Sequence, residues 1–211
     1  ERITVTGNIK FDIEVADEVV TNGARFRRDN FDSRPVWIAA STHDGEEEQV
    51  LDAHRKVRER FPDAILLLVP RHPERFSAVR SKLHRQHFRF VARTDGERCT
   101  AETEIFLVDT MGEVPMFYAA SDIAYVGGTL VPVGGHNLLE PAALGLPVVT
   151  GPHLFNTQDI ADMFERAGAA VRISDSSELA TEVSSWITNK QRARAIGASG
   201  RELVVQNRGA S

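Results

Sequence analysis

The sequence predicts an α/β fold, a parallel sheet with helices on both faces. Three observations predict it. Short runs of Val, Ile, Leu and Phe recur without polar alternation, the pattern of strands buried on both sides. Helix-length segments separate most of these runs, and strand–helix–strand alternation closes into a parallel sheet. The residues leaving the apolar runs are small, polar or basic, as at the ligand-binding edge of a doubly wound sheet.

Taken in order, Arg2 to Asn8 reads as a strand and turn. The polar, weakly periodic stretch from Gly7 to Asp32 is expected to hold a linker and a short helix. Strands are expected at Val36–Ala40, Ile65–Val69, Phe88–Ala92, Ile105–Val108, Ile123–Val126, Val148–Val149 and Ala170–Ile173. Helices are expected from near Gly45, Glu74, Pro115, Asn137, Asn156 and Ser177, with two in the tail, Ser177–Asn189 and Gln191–Gln206. Ser41 and Thr42 precede Glu46, Glu47 and Glu48. Hydroxyls ahead of acids suit a helix N-terminus, so both are expected to cap and to touch ligand. With no repeat or low-complexity stretch, residues 1–211 are expected to form a single domain, 1–33 being the linker region. Because the first residue is Glu1, the chain is expected to be a fragment.

Composition narrows the function. The 211 residues are 42% hydrophobic and 26% charged, which excludes collagen, coiled coil and low-complexity disorder. The net charge of −5 argues against bulk binding of nucleic-acid phosphates. A single cysteine, Cys99, excludes an internal disulfide and an all-Cys zinc site. No His-Glu-x-x-His or Asp-x-Asp spacing occurs, so no metal site is expected. Ser41 lacks a Gly-x-Ser-x-Gly elbow, which argues against a nucleophilic triad. The longest apolar run, Ala64 to Val69, is far short of the roughly 20 residues that span a bilayer.

The chemistry concentrates at strand exits. From Gly127 to Pro141 four glycines accompany His136, Asn137 and Glu140. Glycines admit close backbone approach, and a helix opening near His136 would present N–H groups to an anion. Glu140, a turn further on, could accept from sugar hydroxyls. Anion and hydroxyl recognition together suggest a nucleotide, although neither Gly-x-Gly-x-x-Gly nor a Walker loop is present. Pro70-Arg71-His72-Pro73 sets a guanidinium and an imidazole after a buried strand, where Arg can pair with phosphate or carboxylate. From Arg71 to Arg93 there are seven Lys/Arg and one acid, a field that could draw an anionic donor or lipid.

These motifs carry a family resemblance. Gly7-Asn8-Ile9-Lys10-Phe11-Asp12, Ser41-Thr42-His43-Asp44-Gly45-Glu46-Glu47, Pro70-Arg71-His72-Pro73-Glu74-Arg75 and Asp109-Thr110-Met111-Gly112-Glu113 belong to it. So do Gly127-Gly128-Thr129, the run Gly134-Gly135-His136-Asn137-Leu138-Leu139-Glu140-Pro141, and Thr150-Gly151-Pro152 with Asn156. Together they resemble the C-terminal half of the Kdo (3-deoxy-D-manno-octulosonic acid) transferases of lipid A assembly. The resemblance implies one Rossmann-like half of a GT-B glycosyltransferase. The transferase that the resemblance implies would be inverting and metal-independent, and no cofactor is implied. CMP-Kdo would be the donor and lipid IVA the acceptor, at the cytoplasmic face of the bacterial inner membrane. The resemblance also places the general base, acceptor surface and membrane anchor in an N-terminal half absent here, so the chain alone is expected to be inactive. Gly134, Gly135, His136 and Asn137 would meet the phosphate, and Arg71 either the phosphate or the Kdo carboxylate. Glu140 would accept from the ribose. Thr110, Met111, Gly112 and Glu113 would hold cytosine, with Ser41, Thr42, Pro70 and His72 completing the donor site. A UDP-sugar transferase or epimerase of the same architecture, and a non-catalytic membrane-surface module, are the alternatives.

Overall fold

The computed structural model describes Phe11 and residues 13–208. The strand and turn expected at residues 2–8 lie outside that range, as does the motif at 7–12 apart from Phe11.

Seven strands form one parallel sheet: β1 (Val36–Thr42), β2 (Ile65–Pro70), β3 (Phe90–Ala92), β4 (Ile105–Leu107), β5 (Ile123–Val126), β6 (Val148–Thr150) and β7 (Ala170–Arg172). Their spatial order is β3-β4-β2-β1-β5-β6-β7. The chain therefore places β2, β3 and β4 on one side of β1, with β4 inserted between β2 and β3, then returns to β5 on the other. The β1/β5 boundary is the switch point where connections diverge and leave a crevice. Every apolar run singled out in the sequence is a strand. The third begins at Phe90 rather than at residue 88, and β1 continues to Thr42.

Alternation along β1 divides the core. Trp37 and Ala39 pack into one layer with Leu51, Val57, Val183 and Trp186, under α2 (Glu47–Arg60) and α7 (Ser176–Thr188). Ile38 and Ala40 face the opposite layer with Phe31, Phe106 and Phe117. A third cluster joins Val126 and Val148 to α5 (Leu139–Ala143), α6 (Gln158–Arg166) and α8 (Lys190–Gln206). Two further helices are α3 (Phe76–Arg85) and α4 (Val114–Ala119).

The segment expected to carry a linker and a short helix holds a 14-residue helix, α1 (Asp17–Asn30), docked on α4. Its periodicity is faint because few residues make the contact. Gly23 lies against Met116 and Ala119, where a methyl group would clash. Phe26 meets Phe31, Phe106 and Phe117 edge-on at 5.5, 5.1 and 5.2 Å. Arg27 donates to the Ala120 and Arg34 carbonyls and to Asp122. No described helix is long and apolar enough to cross a membrane.

Candidate functional site

At the carboxyl edge of the sheet, the exits of β1, β2, β4 and β5 enclose a cleft of ≈ 440 Å³. A larger hollow of ≈ 570 Å³ opens where Pro35, Ile123 and Pro147 begin their strands, at the opposite end. Into the first cleft β1 contributes Ser41, and β2 contributes Val69, Pro70 and Arg71. The loop after β4 gives Thr110, Met111 and Gly112, and α4 gives Val114, Pro115 and Tyr118. The loop after β5 adds His136 and Asn137, and α5 adds Glu140. Ser41 sits at a register break in β1 with φ +59°, an uncommon conformation for a residue with a side chain.

The glycine-rich loop is tied to the protein itself. The buried Glu46 carboxylate accepts from the Gly128, Thr129 and Leu130 amides at 2.8, 3.1 and 3.1 Å. It also accepts from the Tyr125 hydroxyl at 2.5 Å and the His43 amide at 3.1 Å. The Gly134 and Gly135 amides both donate to the Gly128 carbonyl. These two glycines, at φ +103° and +88°, lie against residues 154–157; a Cβ on Gly134 would sit 2.5 Å from the Asn156 amide nitrogen. Beyond them, the amides of His136, Asn137 and Leu138 have no acceptor among the described residues. The expected helix start near Asn137 is corrected to Leu139, and α5 has only five residues. Asn137 Oδ1 instead accepts from the Leu139 amide at 2.9 Å, while its Nδ2 donates to Glu140 at 3.3 Å.

The charges around the cleft are nearly all matched. Arg75 holds the buried Glu47 carboxylate through both oxygens at 2.9 and 3.1 Å, and Thr42 donates its hydroxyl to the same group. Burial nevertheless pushes the Glu47 carboxyl up from its ordinary range. Arg93 pairs with Glu113 at 2.8 Å, holding that carboxyl down, and Thr110 donates to it. Asp109 accepts from the Thr94 amide and hydroxyl. The 109–113 loop is thereby pinned from behind, leaving Met111 55% exposed at the mouth. Arg71 and Glu140 are the exceptions: Arg71, exposed, has no carboxylate partner among the described residues, and Glu140 meets only the Asn137 side-chain amide. Burial pushes the Glu140 carboxyl up, and burial with the nearby Glu140 charge pushes the Tyr118 hydroxyl up. His136 and His43 meet Nε2 to Nε2 at 2.6 Å, and burial holds His136 down to about 4. An unpaired guanidinium, two unpartnered amides and a carboxylate in one crevice can bind a phosphate and a neighbouring hydroxyl-bearing group.

Residues 42–203 match the family model for glycosyl transferases group 1. The chain belongs to the group 1 glycosyl transferases. It is 41% identical over 211 residues to the 3-deoxy-D-manno-octulosonic acid transferase of Haemophilus influenzae, covering 100% of this chain and 49% of that protein. It is 34% identical over 215 residues to the namesake from Bordetella pertussis, covering 99% and 49%. The chain thus spans about half the length of the curated relatives it matches. Among solved structures it superposes on the C-terminal CMP-Kdo binding domain of WaaA from Acinetobacter baumannii with a TM-score of 0.85. That pair shares 32% identity, over 90% of this chain and 100% of that one. The Rossmann-like, GT-B half expected from the sequence is the fold this group 1 glycosyl transferase chain has.

Of the residues singled out in the sequence, the fold brings Ser41, Pro70, Arg71, Thr110, Met111, Gly112, His136, Asn137 and Glu140 together around the cleft. Thr42, Gly134, Gly135 and Glu113 stand behind it, their polar groups satisfied within the protein. His72 packs edge-on to His43 at 5.2 Å. Ser41 and Thr42 are strand residues and cap no helix; α2 begins after Glu46 without a side-chain cap. Sequence reasoning missed Tyr118 and the role of Glu46. Tyr118 lies on a six-residue helix too short to show a period. Glu46 sat among acids already explained by the helix dipole.

Proposed function

We propose that this chain is the donor-nucleotide-binding half of a glycosyltransferase that moves Kdo from CMP-Kdo to lipid IVA. One observation carries the reading: Arg71, the unpartnered amides of His136 and Asn137, and Glu140 line a single crevice at the β1/β5 switch point. The departing CMP concentrates charge on its phosphate. Preorganised amides and a guanidinium answer it without a metal, and Arg71 reaches either that phosphate or the Kdo carboxylate. Glu140 accepts from the ribose hydroxyls. Thr110, Met111 and Gly112 form a thin ledge for cytosine, whose N4 amine donates where uracil O4 accepts, so backbone carbonyls there select CMP over UMP. His72, Thr42, Gly134, Gly135 and Glu113 shape the crevice from behind. The similarity to Kdo transferases and to a CMP-Kdo binding domain supports this donor. The reaction inverts at the sugar carbon, with its general base and acceptor surface on an N-terminal half, at the cytoplasmic face of the inner membrane. The isolated chain therefore transfers nothing.

Titration calorimetry of the 211-residue chain tests the reading. CMP should bind more tightly than UDP. Glu140→Ala should weaken CMP by about 1–3 kcal/mol, the loss expected for hydrogen bonds to a charged group. Unchanged affinity in that variant removes Glu140 from the site, and tighter UDP binding transfers the reading to a UDP-sugar enzyme.

A further inference from the structure

His43 and His136 leave different strands and meet Nε2 to Nε2 at 2.6 Å, their rings parallel to within 1°. Both rings are held in place. The His43 backbone amide donates to Glu46, whose carboxylate also fixes Gly128, and a Cβ on Gly128 would lie only 3.0 Å from the His136 ring. Two facing Nε2 atoms accommodate one hydrogen between them. In the neutral pair one ring donates and the other accepts. A single added proton fits without movement, because imidazolium still donates that one hydrogen and gains Nδ1–H elsewhere. It also turns the contact into a stronger, charge-assisted bond. A second proton would oppose two N–H groups, so the pair has a capacity of one.

The charges facing the pair decide when that proton arrives. From the β2 exit come Arg71, His72 and Arg75, and from the start of α2 comes Glu46. Arg75 is neutralised by Glu47 and Asp44. Glu46 spends its oxygens on backbone amides and Tyr125. Burial above all holds both imidazoles down, helped by His72 and Arg71 beside His43 and by His43 and Arg71 beside His136; of these neighbours Arg71 is the cation without a carboxylate partner. Glu140 lines the same cleft but is tied to Asn137.

An anion entering beside Arg71 and His136 reverses that field. We propose that an anionic nucleotide filling this cleft loads one proton from solvent onto the His43–His136 pair. The proposal rests on the nucleotide-binding reading of the cleft. It makes the pair a positioning device that adds a positive charge when the ligand is seated, and it predicts binding that tightens as pH falls.

The test is calorimetry at pH 6 in buffers of differing ionisation enthalpy, with the methyl phosphodiester of CMP, whose phosphate does not titrate there. The expected slope is uptake of about half a proton per ligand, since an opposite charge within ~4–6 Å favours protonated imidazole. The slope should vanish in His43→Gln and His136→Gln, with melting curves checking that both are folded. Ring-nitrogen NMR shifts of the unmodified chain supply the second measurement: both rings should move toward the imidazolium pattern on saturation. Binding with zero slope and unmoved His43 and His136 shifts overturns the inference and leaves the nucleotide reading standing. A slope carried by His72, or kept in both variants, also overturns it. Absence of any binding overturns the nucleotide reading, and this inference with it.

Discussion

At the scale of single residues, Glu46 holds more of the site than any residue that touches the cleft. One buried carboxylate gathers three successive amides of the 128–130 loop, the Tyr125 hydroxyl and the His43 amide. Removing it leaves those donors buried and unpaired, which is costlier than the loss of the bonds themselves. Glu46→Ala should therefore lower stability by about 3–5 kcal/mol in denaturant unfolding, in the range for breaking a buried charged network. It should also loosen the loop that carries His136, so CMP affinity falls with it. A loss below about 1 kcal/mol would mean that water replaces the carboxylate. No local signal pointed to this role. Its amide partners lie 82–84 residues further along the chain, and an acid at the start of α2 is already accounted for by the helix dipole.

Among the elements, strands were the legible part. The inner strands are buried on nearly every residue, so their apolar runs are plain in the sequence, while the edge strands β3 and β7 are only partly buried. The helices were less legible. α5 has five residues and α4 six, too few for a period, and α1 reaches the core through Gly23, Phe26 and Arg27 rather than a hydrophobic stripe. Packing at this scale is set by small residues as much as large ones, and α8 offers a paired test. At Gly197 a methyl group would overlap the Gly145 carbonyl, whereas at Gly200 it would meet Ala142 at 3.4 Å, an ordinary contact. Gly197→Ala should destabilise by roughly 1–3 kcal/mol through overpacking, outweighing the better helix propensity of Ala. Gly200→Ala should gain about 0.5–1 kcal/mol from that propensity alone. Thermal unfolding should then show melting points moving in opposite directions for two substitutions one turn apart; movement in the same direction would contradict the packing of α8 on the 145–146 turn.

For the molecule as a whole, the parallel sheet explains why a site scattered over a hundred residues could be guessed from sequence. Strand exits share one edge, so motifs after β1, β2, β4 and β5 must converge. Which amides stay open after the loop has satisfied itself depends on long-range bonds, and that was not legible. The same architecture fixes the acid response of the domain. His54, fully buried on α2, accepts from the Trp37 indole at 3.0 Å through Nδ1 and faces the Glu104 carbonyl at 2.9 Å through Nε2, which therefore carries the hydrogen. Both nitrogens are used by the neutral ring, and burial holds its pKa down to about 3. The unfolded chain takes up that proton near pH 6.5, the folded one only near 3. Stability from this group is complete above pH 6.5 and drains away as pH falls toward 3, by about 3 kcal/mol at pH 4.5. His136, held down to about 4 but only partly buried, adds a smaller loss in the same window. Asp52, Asp95, Glu48 and Glu113, lowered by their partners, lose their contributions only below the ordinary carboxylate range. His54→Gln keeps a donor and an acceptor but cannot titrate. Its unfolding free energy should start lower at pH 7, yet lose about 3 kcal/mol less than the parent on going to pH 4.5. Parallel pH curves for the two proteins would mean that His54 is charged inside the fold.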